Sequence, residues 1–169
     1  MSTSRSDEAG ARTVVVALGN TLMGDDGLGI AALERLQRQW RVPSEVELVD
    51  GGTAGMSLLP IIEGAARVLL LDAIDARADP GTFLFIARDR LPRYLATKIS
   101  PHQIDLADVL ALAELRGTLP EEALAMGLQP AEIRMSTDLS DPVSRGLDKL
   151  VDEVVRLLER WGYRCVRAD

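Results

Sequence analysis

The chain has 169 residues, one cysteine and one histidine, with 47% apolar residues and a formal net charge of −7. That length makes one domain with a sizeable core, and the apolar fraction excludes disorder. The negative charge argues against nucleic acid or an anionic membrane surface as partner, and a single cysteine excludes an internal disulfide and suits a reducing compartment.

Met1 to Arg12 is polar and small and is read as a loose tail, leaving residues 13–169 as a single domain. No apolar run has the length of a signal peptide or a membrane span, so a soluble cytoplasmic protein is expected. Short apolar runs then alternate with amphipathic stretches, the pattern of an α/β sandwich. Val14 to Leu18 reads as a buried strand, followed by the glycine-punctuated Gly24-Asp25-Asp26-Gly27. Ile30, Leu33, Leu36 and Trp40 recur at helical spacing. Val46 to Val49 is a second strand, closed by Asp50-Gly51-Gly52, and a short helix with Thr53 as N-cap is disturbed or restarted by Pro60. Val68 to Leu71 is a third strand ending at Asp72, and Thr82 to Ala87 a fourth, introduced by Pro80-Gly81.

Ser100-Pro101-His102-Gln103 matches a capping box, with Ser as N-cap, Pro at N1 and Gln at N3. The helix it opens has Leu106, Val109, Leu110 and Ala113 on one face and Gly117 as its stop. Ala123 to Leu128 is a fifth strand. Asp141 as N-cap and Pro142 at N1 open a last helix with the stripe Val143, Leu147, Leu150, Val154, Leu157 and Trp161. Gly162 ends it, and Tyr163 to Val166 adds an edge strand.

In open α/β sheets ligands bind at the carboxyl ends of the strands. Asp26, Asp50 and Asp72 all fall just beyond an expected strand end. One of Asp25 and Asp26 is accounted for as a cap of the following helix; the second acid has no such reason to be there. Asp72 follows four apolar residues, where a carboxylate is expensive to bury unless paired or bound to a cation. His102, at N2 of a helix, feels a dipole that disfavours its cationic form by about 0.3–1 kcal/mol, which tips it toward the neutral, metal-binding imidazole. Two carboxylates and one imidazole suit an open transition-metal site better than a closed structural one. Cys165 lies in an apolar context and is read as inert. The spacing of Gly24, Gly27 and Gly29 is wrong for a dinucleotide loop.

Three blocks, taken with Leu71-Asp72-Ala73, carry a resemblance to a known family. They are Gly19-Asn20-Thr21-Leu22-Met23-Gly24-Asp25-Asp26-Gly27-Leu28-Gly29, Asp50-Gly51-Gly52-Thr53-Ala54-Gly55-Met56 and Lys98-Ile99-Ser100-Pro101-His102-Gln103. From Val14 to about Gly162 the chain resembles the maturation endopeptidases of the [NiFe] hydrogenases. The resemblance implies a three-layer sandwich, a twisted and mostly parallel five-stranded sheet with helices on both faces. It implies metal contacts from Asp26, Asp72 and His102 to nickel already inserted in the immature large subunit, whose short C-terminal extension is then removed. It also implies substrate recognition by Gly51 and Gly52, with Asp50 beside them. Asp26 stands where several relatives carry glutamate, one methylene longer.

A monomer with no tightly bound metal of its own is expected, since the nickel comes with the substrate. Either nickel polarises the scissile carbonyl or activates water, or a carboxylate, Asp50 or Asp26, acts as general base. The competing readings are a phospho-acceptor receiver-like domain using Asp25, Asp26 and Asp72, and a non-catalytic metal-sensing scaffold. The receiver reading lacks a lysine after strand five, where Gly127-Leu128-Gln129-Pro130 stands.

Overall fold

The computed structural model of the chain describes residues 12–96 and 101–169, the side chains of residues 95–96 and 101–105 excepted. Its strands are β1 (Thr13–Leu18), β2 (Trp40–Arg41), β3 (Val46–Gly52), β4 (Arg67–Ala73), β5 (Phe83–Ile86), β6 (Glu122–Leu128) and β7 (Val166–Arg167). Its helices are α1 (Leu28–Gln39), α2 (Leu59–Glu63), α3 (Leu91–Ala96), α4 (Pro101–Leu115) and α5 (Asp141–Arg160).

Five strands form one sheet in the order β3-β1-β4-β6-β5. All neighbours are parallel except β5, which runs antiparallel along β6. The central strands are apolar along their middles, as parallel strands covered on both faces tend to be, and their alternation assigns the layers. Val14, Val16, Val68 and Leu70 pack with Ile62 of α2, Leu91 and Tyr94 of α3 and Leu106, Val109 and Leu110 of α4. Val15, Leu69, Leu71, Met126 and Leu128 point the other way, onto Leu28, Ala32 and Leu36 of α1 and Val143, Leu147, Leu150, Val151, Val154 and Leu158 of α5. Helix, sheet and helix are therefore stacked as three layers. No helix among the described residues is long and apolar enough to cross a membrane.

Several boundaries differ from the sequence reading. β3 continues through Asp50-Gly51-Gly52, and Asp72 lies within β4, because both segments keep their parallel pairing to those residues. Trp40 leaves the helical stripe and enters β2, whose antiparallel partner is β7 rather than the main sheet. The expected edge strand at 163–166 is thus a short separate ribbon, with the Arg167 guanidinium 4.4 Å from the Trp40 ring centroid. Thr53 is exposed and caps nothing; a 3-10 turn at Gly55–Leu58 follows Ala54, and Pro60 sits in the first turn of α2. Helix α4 begins at Pro101, and the expected cap Ser100 lies outside the described residues. Gly117 and Gly162 close α4 and α5 in left-handed conformations, φ +69° and +94°, with the Gly117 and Gly162 amides donating to the Glu114 and Glu159 carbonyls.

Glycine also sets how closely the layers approach. A Cβ on Gly29 would lie 2.3 Å from the carbonyl oxygens of both Leu18 and Leu71, so α1 can rest on the ends of β1 and β4 only without one. A Cβ on Gly127 would lie 1.8 Å from the Asp72 carbonyl oxygen. Gly127→Ala is therefore expected to lower the urea-denaturation free energy by roughly 3 kcal/mol or more, since backbone must move. Gly117→Ala, which meets no atom within 4 Å, should cost only the left-handed strain of about 1–2 kcal/mol. Equal losses for the two variants would show that the close approach at Gly127 is not what confines it.

Candidate active site

Three acids, Asp25, Asp26 and Asp72, are buried at the carboxyl edge of the sheet. Asp26 sits in the 3-10 turn Gly24–Gly27 between β1 and α1 and is 2% exposed. Its Oδ2 accepts the Asn20 amide at 3.0 Å. Gly19, at φ +122°, lies directly beneath it, and a Cβ there would stand 1.8 Å from the Asp26 carbonyl oxygen. Asp72, on the adjacent strand β4, is 1% exposed, and its Oδ1 accepts the Ala73 amide at 2.8 Å. Side chains alternate along a strand, so Asp72 shares the face of Val68 and Leu70, on which α3 and α4 pack.

Tyr94 of α3 reaches the same place. Its hydroxyl donates to the Ala73 carbonyl at 3.1 Å. Burial holds the phenol well above its usual pKa, and the charges of Asp72, Asp26 and Asp75 push it further in the same direction. Tyr94 is thus a neutral donor set among acids.

Asp25, next to Asp26 and fully buried, does something else. Its Oδ2 accepts the amides of Ala131 at 2.8 Å and Glu132 at 3.2 Å and the Ser140 hydroxyl at 2.7 Å, while its Oδ1 accepts the Ser140 amide at 2.7 Å. Backbone bonds from Gly24 to Ser136 and from Ser136 to Leu22 reinforce the join. Asp25 therefore staples the 131–140 strap to the turn that carries Asp26. Neither acid caps α1, whose N-cap is Gly27 without a side-chain bond; both oxygens of Asp25 and Oδ2 of Asp26 accept from other donors. Nor is Asp141 the cap of α5: Ser140 holds that position, and its hydroxyl is given to Asp25 instead.

The family model for hydrogenase maturation proteases matches residues 30–157. The chain belongs to the hydrogenase maturation protease family. It is a peptidase of that family, 37% identical over 92% of its length to a hydrogenase expression/formation protein, HupD, of Rhodobacter capsulatus, 75% of which is covered. It is 31% identical to the hydrogenase 2 maturation protease of Escherichia coli, covering 92% of this chain and 95% of the other. The solved hydrogenase maturating endopeptidase HybD from E. coli superposes with a TM-score of 0.88 at 30% identity, over 92% of this chain and 97% of that one.

Within this protease the remaining expected site residues fall unevenly. His102 is the second residue of α4 by its backbone, and its side chain lies outside the described residues. Among the described residues no three His, Cys, Asp or Glu side chains group as a metal site. Asp50 is exposed on the edge strand β3 opposite Ala17, and no described contact joins its carboxylate to Asp26 or Asp72. Gly51 is buried where a Cβ would meet Val16 at 2.8 Å, and the Gly52 carbonyl accepts the Gly19 amide at 3.0 Å, tying this block to the loop after β1. The receiver-like reading loses one of its three acids, because both oxygens of Asp25 are occupied by protein donors.

Two contributors were not singled out from sequence for this site. Tyr94 draws no assignment there, and the short helix α3 that carries it is not expected from sequence. Gln129, after β6, accepts the amides of Ala76 and Ala78 at 2.8 and 3.1 Å and donates to Asp75 at 3.1 Å, which shapes the loop after β4.

Asp25→Ala would leave three part-buried amides and the Ser140 hydroxyl without their acceptor and is expected to cost about 3 kcal/mol, with amide exchange rising first at Ala131, Glu132 and Ser140. A melting temperature unchanged from that of the parent would show that the strap does not depend on Asp25. Cys165 is 8% exposed, and burial followed by Glu159 raises its thiol pKa. At pH 7 it should resist iodoacetamide until urea unfolds the chain; rapid labelling of the folded protein would contradict this.

Proposed function

We propose that this protease removes the C-terminal extension of an immature [NiFe] hydrogenase large subunit after nickel insertion. Asp26, Asp72 and His102 contact the nickel that the substrate brings. The observation that carries the reading is the burial of two carboxylates, Asp26 and Asp72, at neighbouring strand ends close enough that both act on Tyr94. Buried carboxylates are unfavourable unless hydrogen-bonded or neutralised by a cation. Each has a backbone amide, and carboxylate with imidazole is a donor set that suits nickel.

On this reading the chain works as a cytoplasmic monomer with no tightly held metal of its own. Docking places the substrate's nickel against the acids, and the tail's scissile peptide bond lies beside them. Of the two candidate bases, Asp26 is favoured over Asp50, since Asp50 is exposed and makes no described contact with the other acids. Gly52, whose carbonyl accepts the Gly19 amide, and Gly51 before it give the end of β3 a stretch without side chains at which substrate is recognised.

The test is mass-resolved cleavage of a matched large-subunit precursor, nickel-loaded in one reaction and nickel-free in another. Cleavage is expected with nickel alone. Asp26→Asn, Asp72→Asn and His102→Ala should each lower the rate 100-fold or more, the scale of a lost catalytic or electrostatic group, while shifting the melting temperature by a few degrees at most. Equal cleavage without nickel would keep the protease and remove the nickel-reading role of these residues. A precursor left intact under both conditions would favour a non-catalytic scaffold. If nickel is the electrophile, His102→Ala should also abolish turnover of a tail tethered to the protease by a linker; retained turnover there would leave nickel as a checkpoint.

A further inference from the structure

We propose that Leu22, Ile133 and Met135 form an apolar rim that docks the body of the large-subunit precursor around its metal; this rests on the function proposed above. Two segments far apart in the chain build the rim. Met23 and Ser136 form a parallel bridge, with the Ser136 amide donating to the Leu22 carbonyl at 3.0 Å and the Gly24 amide to the Ser136 carbonyl at 2.8 Å. In that register Leu22 is the neighbour of Met135. The two are 61% and 85% exposed, and Ile133, earlier on the strap, is 49% exposed. None of the three belongs to the core clusters of the described residues. The backbone beneath them is nevertheless held. Asp25 accepts four hydrogen bonds from the strap, and a Cβ on Gly24 would lie 3.2 Å from the Arg134 carbonyl oxygen.

Single exposed apolar side chains are ordinary, but several gathered beside a site mark an interaction surface. A held backbone lowers the ordering cost of binding, and methionine adapts to an irregular partner surface. The rim is continuous with the candidate site. Asn20, whose amide donates to Asp26 Oδ2 at 3.0 Å, accepts the Leu22 amide on its Oδ1 at 2.9 Å. A partner whose cation meets Asp26 therefore lays the surface around that cation on Leu22 and Met135. The same chemistry fixes the occupant, apolar at the rim and cationic at the acids. In the proposed function the nickel lies in the body of the precursor and not in its extension, so the body is what docks. Leu115 supplies a matched control. It is as exposed as Met135, at 85%, but it ends α4 just ahead of β6. Since β6 runs parallel to β4, Leu115 lies at the opposite, amino edge of the sheet.

The experiment compares the double variant Leu22→Gln with Met135→Gln against Leu115→Gln, all in the full chain. These positions are exposed, so the melting temperatures should match that of the parent. The first readout is binding, followed by NMR of the Leu22, Met135 and Leu115 methyl groups as nickel-free precursor is added. The Leu22 and Met135 signals should shift and those of Leu115 should not, and the double variant should bind about tenfold more weakly. The second is cleavage of the nickel-loaded precursor, where the double variant should raise KM about tenfold with kcat within about twofold, and Leu115→Gln should change neither. Unmoved Leu22 and Met135 methyls on binding, or an unchanged KM, overturn the rim while cleavage by the parent keeps the proposed function. Shifts caused by a synthetic peptide of the extension alone assign the rim to the tail and overturn docking of the body. Shifts that grow with protein concentration alone assign it to a second copy of this chain and likewise overturn the proposal. A precursor that moves the methyls yet stays uncut with nickel keeps the rim and removes the proposed cleavage, and one that does neither overturns both.

Discussion

Asp26 and Asp72 both rest on glycine. Gly19 lies under the Asp26 carbonyl and Gly127 under that of Asp72, each so close that a Cβ would stand 1.8 Å from the oxygen. These contacts fix the backbones of the two acids relative to β1 and β6, and the adjacent strands β1 and β4 then bring them to one edge. Gly29 completes the arrangement by letting α1 sit down on the ends of β1 and β4. The site depends on these close approaches before it depends on any charge, because each acid's position is defined by backbone that has no room to shift.

Asp25 and Asp26 show how little of a residue's role belongs to its type. They are adjacent, both buried and both in the same 3-10 turn. Asp25 faces the amides of the 131–140 strap and is consumed by them. Asp26 faces Asn20 and the neighbourhood of Asp72 and Tyr94. One acid secures the loop that holds the other. The strap therefore bears on the site although it contributes none of the proposed metal contacts, and a mutation in it should be read first as a change in the placement of Asp26.

The sheet and its helices were legible in the sequence because apolar periodicity and glycine or proline punctuation are local signals. Val14 to Leu18, Val68 to Leu71 and Ala123 to Leu128 each lie inside an observed strand, and Gly117 and Gly162 mark real helix ends. The errors share one cause. One of Asp25 and Asp26 reads as a cap until the partners of Asp25, 106 to 115 residues away, are known. Ser140 is missed as the cap position of α5 because its hydroxyl answers to that same distant acid. Trp40 fits a helical stripe equally well until Arg167 arrives from the other end of the chain. Tyr94 carries no local mark at all: a tyrosine on a short helix is usually core, and only the fold shows that its hydroxyl meets the end of β4.

The sign of the field at this edge bears on where the chain can cut. Asp26, Asp72 and Asp75 all act on Tyr94 in the same direction, so the local potential is negative, in keeping with a net charge of −7. Such a surface attracts a metal cation and repels a free carboxylate. On the proposed function, in which the bond is cut beside these acids, a peptide's own C-terminus is disfavoured there and a bond some residues upstream of it is favoured. That geometry separates endopeptidase action from trimming residue by residue, since removing one residue at a time would bring a new carboxylate into the same field at every step. In the proposed function, a substrate that carries its cation close to the scissile bond would neutralise the field where the bond sits, with the tail's end outside it.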